Sequence, residues 1–315
     1  MTRILITGSL GQIGSELSEA LAKRYGKESI VVSDIRKGKL DNGLRFRELD
    51  VRDSEAIAEI IKEEGITDIF HLAAILSASG EKNPNLAYDV NSNGTFNVLS
   101  NALACGIRRV IIPSTIGVFG PETPKEKVPE VTVQRPTTMY GITKVAAELL
   151  GLYFRNKHSL DVRGLRFPGL ISYKTPPTAG TTDYAVDMIM HAARGQNYQC
   201  YLRSDTRLPM MYMPDAIEAL IKLFESNSKS LRFCMEYNVS AFSFTPAELE
   251  AEIRKIVPDF RVSYLPDFRQ DIADSWPNSL ECSAAKKDWG FHPKYSFTEM
   301  VHDMMRNLRA VEAKF

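Results

Sequence analysis

Tyr140 and Lys144 have the residue types and spacing for proton chemistry. They lie in Pro136-Thr137-Thr138-Met139-Tyr140-Gly141-Ile142-Thr143-Lys144, which reads as the opening of a helix, where a four-residue spacing puts both on one face a turn apart. A free tyrosine ionises near ~10, so service as a base at neutral pH requires a fall of roughly 3 pH units, or about 4 kcal/mol. An ammonium beside the phenol is the charge environment that favours such a fall. The spacing alone is common on helices, where it usually marks a half-buried tyrosine and a solvated lysine. Its weight comes from the preceding strand, Val110-Ile111-Ile112-Pro113, which delivers Ser114 and Thr115 at a carboxyl end, where a hydroxyl can bind a substrate oxygen.

These residues must be placed by the elements around them. Short β-branched runs at Arg3–Thr7, Ser29–Ser33, Arg45–Leu49, Asp68–Leu72, Arg109–Pro113 and Asp161–Arg166 alternate with helical periods at Gln12–Tyr25, Ser54–Glu64, Leu86–Cys105 and Tyr140–Lys157. That rhythm predicts an α/β fold, a doubly wound parallel-sheet Rossmann domain. After Pro168 the chain turns Pro- and Gly-rich, as in Lys174-Thr175-Pro176-Pro177-Thr178-Ala179-Gly180, which marks a smaller mixed α/β substrate lobe. The expected division is 1–167 plus about 212–240 for the sheet domain and 168–211 plus 241–315 for the lobe. Thr245-Pro246-Ala247-Glu248 and Ser296-Phe297-Thr298-Glu299 fit capping boxes and have a structural purpose.

The first strand ends in Gly8-Ser9-Leu10-Gly11-Gln12-Ile13-Gly14. A G-x-x-G-x-x-G turn between strand and helix lets backbone donors and the helix amino terminus approach a pyrophosphate, and Gly14 lets helix and strand pack closely. The expected cofactor is therefore a dinucleotide held by Gly8, Gly11, Gln12, Ile13 and Gly14. Asp34, at the end of the second strand, should bind both ribose hydroxyls and repel a 2′-phosphate, which favours NAD over NADP; Arg36 two residues on works against that preference. Asp50 and Val51 after the third strand, and Leu72, Ala73 and Ala74 after the fourth, stand at carboxyl ends where an open parallel sheet binds its ligand. Asp50 can accept from an adenine amino group. The positive nicotinamide ring would add to Lys144 in favouring ionised Tyr140.

Composition removes other classes. The chain has 315 residues, 44% of them hydrophobic, with 39 basic and 39 acidic side chains. No net field favours nucleic acid or a membrane surface, so the expected partners are small molecules or another copy of the chain. Cysteines at 105, 200, 234 and 282 form no C-x-x-C pair, so no metal site is expected. The amino terminus runs directly into a strand, and no stretch of about 18 apolar residues occurs. A soluble, cytoplasmic protein with reduced thiols is the expectation.

Taken in order, the Gly8–Gly14 loop, Asp34, His71-Leu72-Ala73-Ala74, Asn91, Ser114-Thr115-Ile116-Gly117-Val118-Phe119-Gly120 and Tyr140-x-x-x-Lys144 resemble the extended short-chain dehydrogenase/reductase family, which includes sugar-nucleotide epimerases and dehydratases. The resemblance covers nearly the whole chain. It implies that Tyr140 is the acid/base, that Lys144 holds the nicotinamide ribose and lowers the tyrosine pKa, and that Thr115 stands where the family commonly has serine. It puts Asn91 on the proton-relay and nicotinamide side. Phe119 replaces the usual tyrosine without chemical consequence.

More narrowly, residues 113–124, 176–184 and 208–215 resemble the L-threonine 3-dehydrogenases of that family. Thr137 departs from the expected arginine and is expected to affect loop packing or cofactor affinity. The substrate implied is L-threonine, oxidised at its β-hydroxyl to 2-amino-3-ketobutyrate. Gly180-Thr181-Thr182 reads as a helix opening whose donors can hold a carboxylate. Ser77 can add a hydroxyl, and Trp276 either closes the pocket or simply packs. A nucleotide-sugar epimerase or dehydratase is the rival, with Arg203 and Arg207 as the cations a diphosphate would need; a non-catalytic NAD-sensing regulator is the second. Apolar residues on several faces of Leu86–Cys105 and Tyr140–Lys157, among them Phe96, Val98, Leu99, Leu149, Leu150 and Tyr153, together with the family resemblance, imply a homodimer.

Overall fold

A computed structural model describes residues 2–36, 43–177 and 180–312. Met1, residues 313–315, and Thr178 and Ala179 of the Pro-rich loop lie outside the described residues. β1 (Ile4–Thr7) leads into α1 (Gln12–Tyr25), followed by β2 (Ile30–Asp34), β3 (Arg45–Glu48), α2 (Ser54–Glu63) and β4 (Asp68–His71). A short α3 (Ser77–Lys82) precedes α4 (Pro84–Tyr88), which passes through a π-helical turn at Asp89–Asn93 into α5 (Gly94–Ala104). Then come β5 (Arg109–Ile111), β6 (Ser114–Thr115), α6 (Met139–His158), β7 (Asp161–Arg163) and β8 (Leu165–Phe167).

Six strands form one parallel sheet in the order β3-β2-β1-β4-β5-β7, the doubly wound arrangement expected from the β-α rhythm. Side-chain alternation sorts its two faces. Ile4, Ile6, Ile30, Val32, Phe70 and Ile111 pack with α1 on one side. Leu5, Val31, Ile69 and Val110 pack with α2 and α5 on the other, as the two-residue period of a strand requires. The order reverses between β1 and β4, which opens a crevice at their carboxyl ends.

The rest of the chain comprises β9 (Gly169–Ile171), α7 (Tyr184–Ala193), β10 (Tyr198–Cys200), β11 (Leu208–Tyr212), α8 (Met213–Glu225), β12 (Tyr237–Asn238), β13 (Phe242–Phe244), α9 (Pro246–Arg254), β14 (Val262–Tyr264), α10 (Arg269–Ser275), α11 (Ser283–Trp289) and α12 (Phe297–Glu312). The small sheets β13-β11-β9 and β10-β14 share a core with α7, α9, α10 and α12 that contains Tyr184, Met188, Phe244, Trp276 and Met304. α8 and α11 pack instead on the large sheet, through Leu220, Phe224 and Trp289. Both capping boxes form: Thr245 and Glu248 exchange bonds of 2.9 and 3.2 Å, and Ser296 and Glu299 exchange bonds of 2.8 and 3.3 Å.

Three expected elements differ in detail. Pro113, which has no N–H to donate, divides Arg109–Pro113 from the strand pair that follows, and Gly164 divides Asp161–Arg166. Beyond these breaks β6 and β8 pair with each other, and β8 with β12. The helix expected over Leu86–Cys105 begins at Pro84, with Asn83 capping the Leu86 amide at 3.2 Å, and its π turn inserts an extra residue beside the crevice.

Arg163 shows how tightly the large sheet and α8 are joined. Its side chain is 1% exposed, and Nη1 donates to the carbonyls of Leu223, Phe224 and Ser226 at 2.7, 3.2 and 2.8 Å. Nε and Nη2 each hold Asp161 at 2.8 Å. A buried cation thus satisfies the carbonyls left open at the end of α8. Arg163→Met is expected to lower the unfolding free energy by about 3 kcal/mol, read as a lower urea midpoint; an unchanged midpoint would show that packing alone holds this helix end.

Candidate functional site

The carboxyl ends of the strands surround a cleft of about 730 Å³. Its floor is the Gly8–Gly14 loop. Gly8 has φ 66°, and a Cβ there would stand 2.6 Å from the Ala73 nitrogen; a Cβ on Gly14 would stand 2.4 Å from the Gly8 carbonyl oxygen. Only glycine lets the loop, β4 and α1 approach this closely. Gly11, the residue before α1, supplies no side-chain cap, so the first amides of the helix lie at the cleft unclaimed by a side chain. Gly8, Gly11, Gln12, Ile13, Gly14, Asp34, Asp50, Val51, Leu72, Ala73 and Ala74 all line it. This floor fits an anionic dinucleotide: a glycine cradle, a helix amino terminus and a carboxylate at the second strand end.

The two carboxylates carry neighbouring arginines. Asp34 accepts from the Leu10 amide at 3.0 Å and from Arg36 Nε at 3.0 Å. Burial works against its charge, yet the hydrogen bonds from Arg36 and Leu10 hold its carboxyl below the usual range. Asp50 accepts from Arg52 Nε at 3.0 Å and Nη2 at 2.5 Å, and this arginine likewise holds its pKa down. Arg52 lines the cleft but escaped the sequence reading, because a surface arginine after a strand carries no motif.

Further along the cleft stand Ser77, Ser114, Thr115, Tyr140, Lys144, Gly180, Thr181 and Trp276. Thr138 caps α6 by accepting from the Gly141 amide at 3.1 Å, and Glu81 accepts from the Met139 amide at 2.7 Å. The helix is thereby held so that Tyr140 meets Thr115. Burial pushes the Tyr140 phenol up to about 12, opposed by a hydrogen bond from Thr115. Burial pulls Lys144 down to about 8, opposed by the negative charge of Glu148. Lys144 Nζ donates to the Pro113 carbonyl at 2.9 Å. In the protein by itself, removal from water sets the direction of the Tyr140 shift and Thr115 opposes it.

Several expected residues are engaged differently. Asn91 does not line the cleft. Its Nδ2 donates to the Ile75 carbonyl and to Thr143 Oγ1, both at 3.0 Å, and its Oδ1 accepts from the Ile75 amide at 2.8 Å, so it braces the wall from behind. The Ser114 hydroxyl donates to Glu148 at 2.5 Å. Residues 180–183 form a turn and the helix starts at Tyr184; the Gly180 amide donates to Asp183 at 2.9 Å and is not open to a carboxylate. The Thr181 and Ser77 hydroxyls lie 3.4 Å apart. Trp276 both lines the cleft and packs in the second core. Thr137 is exposed and off the cleft. Arg203 pairs with Asp274 at 2.8 Å and Arg207 with Glu248 at 2.5 Å, and neither lines the cleft.

Among the described residues no cluster of His, Cys, Asp and Glu could hold a metal ion, and no helix is long and apolar enough to cross a membrane. The model of a family described as NAD dependent epimerase/dehydratase matches residues 4–239. An uncharacterized epimerase/dehydratase of Staphylococcus haemolyticus is 45% identical over 100% of this chain and 99% of its own. The mitochondrial L-threonine 3-dehydrogenase of Bos taurus is 45% identical over 96% of this chain and 82% of its own. A solved structure of a monomeric L-threonine 3-dehydrogenase from a metagenome is 47% identical, with a TM-score of 0.95, and the match covers 98% of this chain and 99% of that one.

His71, 2% exposed, lies between Thr7 Oγ1 at 2.9 Å and Thr95 Oγ1 at 3.2 Å. Burial, with Lys144 adding to it, lowers its pKa to about 3. The unfolded chain therefore binds a proton below pH ~6.5 that the folded protein refuses, and stability falls as pH drops from there toward 3. Wild type is expected to lose about 2 kcal/mol more than His71→Gln between pH 7.5 and 5 in urea unfolding; parallel losses would show that His71 titrates normally.

Proposed function

The chain belongs to the NAD dependent epimerase/dehydratase family, and from that premise we propose that it oxidises the β-hydroxyl of L-threonine to 2-amino-3-ketobutyrate. The observation that carries the reading is the composition of one cleft. Tyr140, Thr115 and Lys144 share it with the small hydroxyl pair Ser77 and Thr181, and its arginines Arg36 and Arg52 are paired with Asp34 and Asp50. A nucleotide-sugar diphosphate calls for free cations in the second lobe, and Arg203 and Arg207 are committed elsewhere. The two similar dehydrogenases, which carry that activity in their own descriptions, support the same substrate.

In this reading the Gly8–Gly14 loop and the start of α1 hold the pyrophosphate of NAD, Asp34 holds the adenosine ribose, and Leu72, Ala73, Ala74, Asp50 and Val51 form the remaining walls. NAD, when bound, supplies the hydride acceptor and a positive ring. Thr115 orients the substrate hydroxyl toward Tyr140. Tyr140 takes the hydroxyl proton as the general base. Lys144 holds the nicotinamide ribose and favours the tyrosinate, and that charge has to overcome the burial which keeps the free phenol near 12. Ser77 and Thr181 hold the carboxylate, with Gly180 as adjoining wall. Two lobes are part of the proposal: 1–167 plus about 212–240 for NAD, and 168–211 plus 241–315 for the substrate, with α11 returning to pack on the first.

A second copy of the chain is proposed to cover α5 and α6. Phe96, Leu149 and Tyr153 are about half exposed there, whereas Val98 and Leu99 are buried within the chain.

Purified protein with NAD and L-threonine is expected to raise absorbance at 340 nm, and UDP- and dTDP-sugars are not. Tyr140→Phe should lower turnover at least about 100-fold while leaving NAD affinity within a few-fold. No NADH from threonine would remove this function, and a fully active Tyr140→Phe would remove the general base. Sedimentation equilibrium should return twice the chain mass; a single-chain mass would leave the α5–α6 face uncovered.

A further inference from the structure

α6 carries a polar residue that the chemistry above does not use. Glu148 lies one turn beyond Lys144 and is 1% exposed. Its Oε1 accepts from Ser114 Oγ at 2.5 Å and Arg166 Nε at 2.9 Å. Its Oε2 accepts from Arg166 Nη2 at 2.7 Å and Gln134 Nε2 at 2.8 Å. Arg166, on β8 and equally buried, also donates to the Glu130 carbonyl at 2.7 Å and lies over the Phe119 ring at 5.2 Å. The carboxylate is sealed from water with all four of its acceptor positions filled.

Stability alone gives little reason for such a pair. Well-packed apolar side chains often serve a buried position as well or better, because removing two charges from water offsets most of their attraction. What distinguishes this pair is its place. It reaches β6 through Ser114, the neighbour of Thr115 and of the Pro113 whose carbonyl holds Lys144, so that the carboxylate and the ammonium, one helical turn apart, are anchored on consecutive residues. The groups facing Lys144 are the Pro113 carbonyl from the sheet, His71 on β4, and Tyr140 and Glu148 on its own helix, with Arg166 of β8 behind Glu148. His71 is kept neutral by burial. Among these groups Glu148 is the only anion.

We propose that Glu148 is a positioning residue, supplying the fixed negative charge that keeps Lys144 an ammonium beside Tyr140, with Arg166, Gln134 and Ser114 clamping that carboxylate in place. It also accounts for Ser114: the hydroxyl orients Glu148 and does not meet the substrate. The proposal rests on the reading above for what Lys144 and Tyr140 do, but its decisive measurement does not.

That measurement is the titration of Lys144 in the full chain labelled with ε-13C lysine, its resonance identified by its absence in Lys144→Met. Glu148→Gln is expected to move the midpoint down by about one pH unit. Glu148→Asp, which keeps the charge, is expected to restore it. A midpoint unmoved in Glu148→Gln overturns the proposal. Should that variant not fold, Glu148→Gln with Arg166→Met removes both buried charges, and the midpoint should move in the same direction; a midpoint equal to wild type again overturns it. Where threonine turnover is present, the alkaline limb of kcat should move with the Lys144 midpoint. Absent turnover in wild type would refute the proposed function and leave the titration able to decide this inference.

Discussion

Burial of polar side chains along one face of α6 is the constraint on which the rest of the site depends. Tyr140, Thr143 and Glu148 are buried there, with Lys144 partly so, and the helix can carry them because the surrounding elements and its own backbone supply partners. Thr143 Oγ1 accepts from Asn91 and donates to the Tyr140 carbonyl, Lys144 donates to Pro113, and Glu148 receives Arg166 and Ser114. A buried polar group without such partners costs about 1–3 kcal/mol, so helix and strand must dock in one register. The same burial moves the two proton equilibria apart, Tyr140 up to about 12 and Lys144 down to about 8. Both shifts favour the neutral forms. Under the proposed function, the ionic form of this pair is then something a bound positive ring and Glu148 have to induce.

The cofactor floor follows a different logic, of shape before charge. Gly8 and Gly14 are required because a Cβ at either position would stand 2.6 or 2.4 Å from a neighbouring backbone atom. Charge enters only at the rim, where Asp34 and Asp50 are each bound to an arginine two residues on. The Asp50–Arg52 pair is partly exposed and of a kind that contributes little stability, whereas Asp34 is buried and its bonds to Arg36 and Leu10 offset that burial. The cleft is also lined by the small hydroxyls of Ser77 and Thr181 and by Trp276, whose ring is part of the core around the small sheets. At Trp276 the cleft wall and the hydrophobic core are therefore one body.

Much of this was legible in the chain. The helix Gln12–Tyr25 falls at its expected bounds, and every expected strand of the large sheet appears; the central ones, β1, β2 and β4, are buried along their length and read as apolar runs. The breaks at Pro113 and Gly164 were less visible, since each strand continues beyond its break in a new pairing. Of the residues expected at the cleft, Asn91 alone does not border it: a helical period says which side of a helix faces the sheet but not whether an amide reaches the cavity or turns to a backbone. Ser114 and Gly180 border it with their polar groups already engaged, which no spacing reveals.

The sequence by itself determined the order of the elements, the glycine positions where backbones must touch, and the presence of Tyr140, Lys144 and Thr115 at the ends that converge, because these follow from local period and from the absence of a side chain. The tertiary structure decided which polar groups remain open. Glu148 and Arg166 lie 18 residues apart in sequence, on a helix and a strand, with no motif joining them, and only docking makes them a buried pair. Pairings and proton equilibria depend on what surrounds a group once water has been excluded, and that environment is assembled from distant segments of the chain.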